Sequence, residues 1–166
     1  MLTRARDGDF VAFATAAAPR LRNAAFLMCR DWHLAQDLTQ ITLAKMYASW
    51  GRIRRAENVD AYSRKVLVNA LLDQRRRRSG TEVVLADLPE RAGPATDGDL
   101  RMTLLDALAT LPVGDRAIVV LRHWEDRSVE AVAEILGVSA SVVKMRNSRA
   151  LARLRALLGE DFAMTS

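Results

Sequence analysis

Apolar side chains recur at three- and four-residue spacing along almost the whole of this 166-residue chain, and no stretch alternates as a strand does. That period leaves helix-on-helix packing as the way to build a core, so the expected fold class is all-α. Aromatic residues make up only 5% of the chain, so Ala, Leu and Val must supply most of that core. The pattern breaks once, at residues 78–99, RSGTEVVLADLPERAGPATDGD, where three Gly and two Pro supply linker chemistry. From residue 79 to 99, Glu82, Asp87, Glu90, Asp97 and Asp99 stand against a single Arg91. We therefore expect two small helical domains, residues 1–78 and 100–166, joined by a flexible acidic linker at 79–99. Val83, Val84, Leu85 and Leu88 are candidates for docking that linker.

Capping residues divide the two blocks further. In the first, Asp7 or Asp9 is expected to cap a helix through Phe10, Phe13 and Ala17, and Pro19 to open a second through Leu21, Ala25 and Met28. Asp31 caps a third helix over residues 34–50, with Gly51 as its stop and a polar loop at 51–58. A fourth runs over 59–78. In the second block, helices are expected through Leu100 to Leu108, from Pro112 through Trp124, from Ser128 to Gly137, and from Ser139 to Gly159.

Composition narrows the function. Twenty-five basic residues against 20 acidic ones give a net charge of +5, which favours a polyanionic partner. Cys29 is the single cysteine, so an internal disulfide is excluded and a reducing cytoplasm is the expected home. No apolar run follows the first charges, and none approaches the roughly 18 residues of a membrane span, so neither a secretory signal nor membrane insertion is expected. His33 and His123 have no second ligand at metal spacing and read as structural, which leaves no metal site and no cofactor. Cys29 reads as core filler, and Trp32, Trp50 and Trp124 as packing. No nucleophile triad, phosphate loop or carboxylate pair is present, so the chain is not an enzyme.

Residues 128–158 carry the clearest signal. A capped eight-residue amphipathic helix, a Gly-Val-Ser turn and a longer basic helix form the helix-turn-helix pattern. On the second helix Val143, Ala150, Leu154, Leu157 and Leu158 share one stripe, while Ser141, Met145, Ser148 and Arg149 lie opposite, with Val142 and Lys144 at the margins. From residue 139 to 158 there are five basic residues and no acidic one. Such a face suits phosphate contact, with the shorter side chains in reach of base edges. A second stripe lies on the helix over 59–78. There Tyr62, Lys65, Asn69, Asp73 and Arg76 fall within roughly an 80° sector. An aromatic, an amide and cations on one face fit opened or single-stranded nucleic acid, and the run Arg75, Arg76, Arg77, Arg78 extends the face with phosphate-binding charge.

Three segments together, AQDLTQITLAKMYASW, NVDAYSRKVLVNALLDQRRRR and LPVGDRAIVVLRHWEDRSVEAVAEILGVSASVVKMRNSRALARLRALL, resemble bacterial RNA polymerase sigma factors of the extracytoplasmic-function (ECF) group in their short actinobacterial form. The likeness runs over residues 9–158 and is most specific in the third segment. It implies a region 2 helical bundle that binds the clamp helices of the polymerase β′ subunit and melts the −10 promoter element. It also implies a region 4 helix-turn-helix that reads the −35 element and rests on the flap of β. Carried over by position, polymerase binding falls to Asp37, Gln40 and Ile41. The −10 element falls to Arg54, Arg55, Asn58, Tyr62, Lys65, Asn69, Arg75, Arg76 and Arg77, with the 53–58 loop pocketing a flipped base. The −35 element falls to Ser139, Ser141, Val142, Lys144, Met145, Arg146, Ser148 and Arg149. The resemblance further implies core RNA polymerase and promoter DNA as partners, and factors of this kind are often held by an anti-sigma factor.

Three positions depart from the family. Ile41 replaces a usual Glu and is expected to face outward. Met145 replaces a small polar residue at the centre of the presumed DNA face, and a thymine methyl is its expected contact. Asn147 lies in the apolar stripe where Leu is usual, and there it needs a hydrogen-bond partner. The competing reading is a stand-alone helix-turn-helix regulator that works without polymerase; it leaves the stripe on residues 59–78 and the Asp37 segment without a role.

Overall fold

Asp31 ends one helix and begins the next. Its carboxylate accepts from the amide of Leu34 at 3.1 Å, and Arg30 before it turns the chain in the left-handed region at φ 58°. The helices on either side are α1, Leu2–Cys29, and α2, Trp32–Ala48. This is a computed structural model, and it describes residues 2–55, 58–81 and 100–159. All regular structure among them is helical, as expected. Most of the linker, with Val83, Val84, Leu85 and Leu88, lies outside the described residues.

The first correction concerns α1. It is one continuous helix with Pro19 inside it, where two helices were expected. A proline within a helix typically costs about 3 kcal/mol. Here Ala17, Leu21, Ala24, Ala25 and Met28, on both sides of Pro19, form one buried face, and α1 packs extensively on α2. Burial along that line outweighs the missing hydrogen bond. Asp7 and Asp9 cap nothing. Asp7 accepts from the Tyr47 hydroxyl at 2.9 Å, and Asp9 pairs with Arg54 at 3.0 Å.

The second correction concerns the end of α2. Gly51 does not stop a helix but lies inside a single turn, α3, Trp50–Ile53. Trp50 and Ile53 drop into a core with Met46, against which Phe10, Phe13, Val59, Tyr62 and Val66 pack. Phe10 and Phe13 each lie 5.3 Å from the Trp50 ring, centroid to centroid. The helix α4, Val59–Thr81, starts beyond the loop, and Asn58 caps it by accepting from the Ala61 amide at 2.9 Å. Residues 79–81, expected in the linker, are thus its last turn. The chain divides into two compact units, Met1–Leu71 and Leu72–Ser166, so the division falls within α4.

The second unit contains α5, Leu100–Ala109, and α6, Val113–Val119, followed by a π-helical turn over Val120–Trp124. Then come α7, Val129–Leu136, and α8, Ala140–Leu158. The LPVGDR segment has a mechanical explanation. Pro112 sits at the N-cap of α6, and the buried Arg116 donates to the carbonyls of Ala109 and Leu111 at 3.1 and 2.9 Å. Carbonyls left open at the end of α5 are thereby satisfied. Leu105, Leu108, Ile118, Leu121, Val132, Ile135, Val143, Leu151 and Leu154 are buried in this unit. Among them α8 packs on α5, α6 and α7.

Candidate nucleic-acid interface

The helix pair α7–α8 is fixed at three points, two of them in the turn between the helices. Ser128 caps α7 by accepting from the Ala131 amide, Gly137 takes φ 67° at its end, and Ser139 caps α8 by accepting from the Val142 amide at 3.2 Å. Glycine adopts that positive φ without the strain a side chain would add. The turn therefore sets the direction of α8. Along α8, Val143, Ala150, Leu151 and Leu154 are buried, while Ser141, Lys144, Met145, Ser148 and Arg149 are exposed. Val142 and Arg146 are half-buried at the margin. Met145 is 57% exposed, which is how the sequence placed it. Leu157 is exposed, so the apolar stripe ends at Leu154 rather than running to the helix end.

Asn147 has the partner it needs. Its Oδ1 lies 3.0 Å from Nε2 of His123 in the π-helical turn. Partial burial holds the His123 ring below its ordinary pKa; with Oδ1 as the acceptor, the contact uses the tautomer that carries its proton on Nε2. The contact ties α8 to the turn before α7. Asn147→Leu would leave that N–H without its acceptor, and we expect a loss of about 1 kcal/mol in the thermal unfolding of the chain.

Arg149 is the largest surprise on this face. The sequence assigned it to DNA alone, but its Nε and Nη2 grip the Asp115 carboxylate at 2.9–3.1 Å. Arg146 approaches the same carboxylate from Nε at 4.0 Å. Asp115 is itself buried, in the first turn of α6. Sequence reasoning missed Asp115 because its partners lie 31 and 34 residues further along the chain. Arg64 was missed too. It is fully buried and bonded to Asp60 and Ser63, and on the α4 projection it falls between Leu67, Leu71 and Val68, a signal that was there to be read.

Along α4, Lys65, Asn69, Asp73 and Arg76 are exposed, as are Arg75 and Arg77. Arg76 approaches Asp73 at 4.0 Å. Tyr62 is only half exposed and leans on the core of Met46, Trp50 and Ile53. Arg55 is exposed, Arg54 is paired with Asp9, and the side chain of Asn58 is engaged as a cap. Residues 56 and 57 of the expected base pocket lie outside the described residues. On α2, Asp37, Gln40 and Ile41 share one exposed face, opposite the buried Ala35, Leu38, Thr39 and Thr42. Ile41 is 43% exposed.

Other side chains depart from their expected roles. Trp124, expected in packing, is 62% exposed. Trp32 is also exposed, standing edge-on to Phe26 with the Arg22 guanidinium 5.1 Å over its ring. Cys29 is only half-buried, with its thiol 3.3 Å from the Asp31 carbonyl. Among the described residues no cluster of His, Cys, Asp or Glu is arranged to hold a metal ion, and no helix is long and apolar enough to cross a membrane.

Known proteins share this arrangement. Residues 13–81 match the Sigma-70 region 2 family, and residues 107–156 match Sigma-70, region 4. The RNA polymerase sigma-E factor of Streptomyces coelicolor is 44% identical over 123 residues, covering 73% of this chain and 70% of that protein. The ECF RNA polymerase sigma factor SigM of Mycobacterium tuberculosis is 32% identical over 141 residues, covering 84% and 72%. Among solved structures, the sigma factor RpoE from Bartonella quintana, crystallised with the anti-sigma factor NepR, superposes with a TM-score of 0.77 at 28% identity, covering 93% of this chain and 99% of that one. This chain belongs to the ECF-type RNA polymerase sigma factors, non-catalytic proteins that bind core polymerase and direct its recognition of promoters.

Proposed function

We propose that the chain divides promoter recognition between its two units. The exposed face of α8, with Ser141, Lys144, Met145, Arg146, Ser148 and Arg149, enters the major groove of a −35 duplex, and Ser139 and Val142 flank it. The α4 face, with Lys65, Asn69, Arg75, Arg76 and Arg77, holds one strand of the melted −10 element. Tyr62 stands beside that face, and Arg54, Arg55 and Asn58 lead into it. Asp37, Gln40 and Ile41 dock on the clamp helices of β′, and the second unit rests on the flap of β. Region 2 then extends through α4, and region 4 begins with α5. Such a factor works where the polymerase works, in the cytoplasm. An anti-sigma factor, like the one bound to the Bartonella protein, would hold it inactive.

The observation that carries this reading is α8 itself. Its inner side is buried, its direction is set by Gly137 and Ser139, and its outer side offers cations and small polar groups without a carboxylate. That is the geometry of a helix made to enter a groove. The test is run-off transcription with core polymerase and a cognate promoter, paired with permanganate footprinting of unpaired thymines. Asn69→Ala is expected to lower thymine reactivity by about two- to tenfold, the worth of one hydrogen bond, while −35 duplex binding stays unchanged. Equal footprints would remove Asn69 from strand capture. Full selectivity for duplex targets with no association with polymerase would mark a stand-alone regulator instead.

A further inference from the structure

We propose that Asp115 is a positioning residue that turns Arg149 into a reader of guanine within the −35 duplex; the inference rests on the promoter reading above and deepens it. A guanidinium offers five N–H groups in one plane. The Asp115 carboxylate takes the edge formed by Nε and Nη2, in three contacts of 2.9–3.1 Å. Beyond them lies the outer fork, formed by Nη1, whose N–H groups Asp115 does not engage, together with Nη2. That fork has the spacing of the O6 and N7 acceptors of guanine, the pair arginine reads most often in the major groove.

The arrangement is fixed before any DNA arrives. The Asp115 side chain is only 3% exposed and held in the first turn of α6, whereas the Arg149 side chain is 58% exposed. The anion is therefore the rigid partner, and the cation is the one that faces outward. An arginine already locked in its docking geometry loses less freedom on binding than one that must be ordered by the base. Arg146 shares the same carboxylate at longer range, so a single buried anion restrains both cations on this face. Gly114 makes room for it, since a Cβ at that position would lie 3.0 Å from Nη1 of Arg146. A lysine at position 149 would keep the charge and lose the fork.

The experiment selects promoters randomised across the −35 element, using the full chain assembled with core polymerase. The parent is expected to enrich guanine at one position by about tenfold, in the range of one bidentate pair. Asp115→Asn keeps the shape and removes the charge. It is expected to bring that position close to parity while the other −35 positions and the −10 element keep their preferences. Arg149→Lys should do the same, and the double variant should be no worse than either. Asp115→Glu retains the charge but displaces the carboxylate, so it is expected to blunt the same position; it is the deciding variant if circular dichroism shows Asp115→Asn unfolded. A loss of folding alone cannot single out one base pair. Unchanged guanine enrichment in the folded Asp115 variant would overturn the proposal, as would an equal loss at every −35 position. A parent with no −35 preference at all would instead bring down the promoter reading, and this proposal with it.

Discussion

Leu154→Ala is expected to cost about 3–4 kcal/mol and to abolish binding to the −35 duplex. The side chain is fully buried on the inner side of α8, in a core built from α5, α6, α7 and α8. Its removal leaves a cavity that backbone held by the Gly137 turn and the Ser139 cap cannot easily close. A helical unit of some 60 residues carries a total stability of only about 3–9 kcal/mol, so this single change consumes much of it. Chemical denaturation of the purified variant, read by circular dichroism, checks the figure. Leu157→Ala, three residues on and half exposed, is the internal control and should stay within about 0.5 kcal/mol of the parent. Comparable losses from both would mean that α8 is not seated as described.

Trp50→Ala is expected to have an effect of similar size in the other unit, about 3–5 kcal/mol. Trp50 joins three helices. Phe10 and Phe13 come to its ring from α1, and Val59, Tyr62 and Val66 of α4 pack on the cluster it forms with Met46 of α2 and Ile53. Ring pairs of this kind add roughly 0.5–1.5 kcal/mol each beyond burial. The functional consequence follows from Tyr62, which leans on this core beside the Lys65 and Asn69 face. Without Trp50 the support for that face goes, and strand opening should fail while duplex binding through α8 persists. Trp32→Ala, at an exposed position, should be far milder. Footprinting of both elements on one promoter fragment separates the outcomes. Loss of −35 protection in Trp50→Ala would show that the unit boundary is not a functional one.

How much of this was legible in the sequence depended on distance along the chain. Local chemistry read well. The caps at Asp31, Ser128 and Ser139 and the left-handed Gly137 are contacts within four residues, and the residue types alone announce them. The outward face of α8 followed from periodicity, since 100° per residue places Met145 opposite Val143 and Leu154 closely enough to sort them. Tertiary overrides were not legible. Pro19 carries a strong local preference to begin a helix, and it yields only because residues on both sides of it are buried together against α2. Gly51 yields for a similar reason, because the Trp50 and Ile53 beside it have a core to enter.

Polar and charged side chains divided along the same line. Exposed Lys65 and Asn69 matched expectation because a solvent-facing stripe needs no partner to define it. Asp115 and Arg116 did not, since each is defined by what it reaches across a helix boundary, whereas Arg64, bonded to Asp60 and Ser63, was open to reading from the helix projection. Asn147 sits between these cases. Its position in an apolar stripe signalled that a partner was required, but only the fold identified His123 as that partner.

Pro19 carries a consequence beyond its helix. It has no amide N–H, so the ladder of α1 lacks a rung midway, and the helix is held on both sides of that gap. Upstream, Phe10 and Phe13 pack on the core of Met46, Trp50 and Ile53, and Asp7 and Asp9 hook onto Tyr47 and Arg54, just ahead of the loop before α4. Downstream, Leu21, Ala24 and Met28 are sunk into the bundle. The missing rung therefore lies between two anchored stretches, like a gap in a beam supported on both sides.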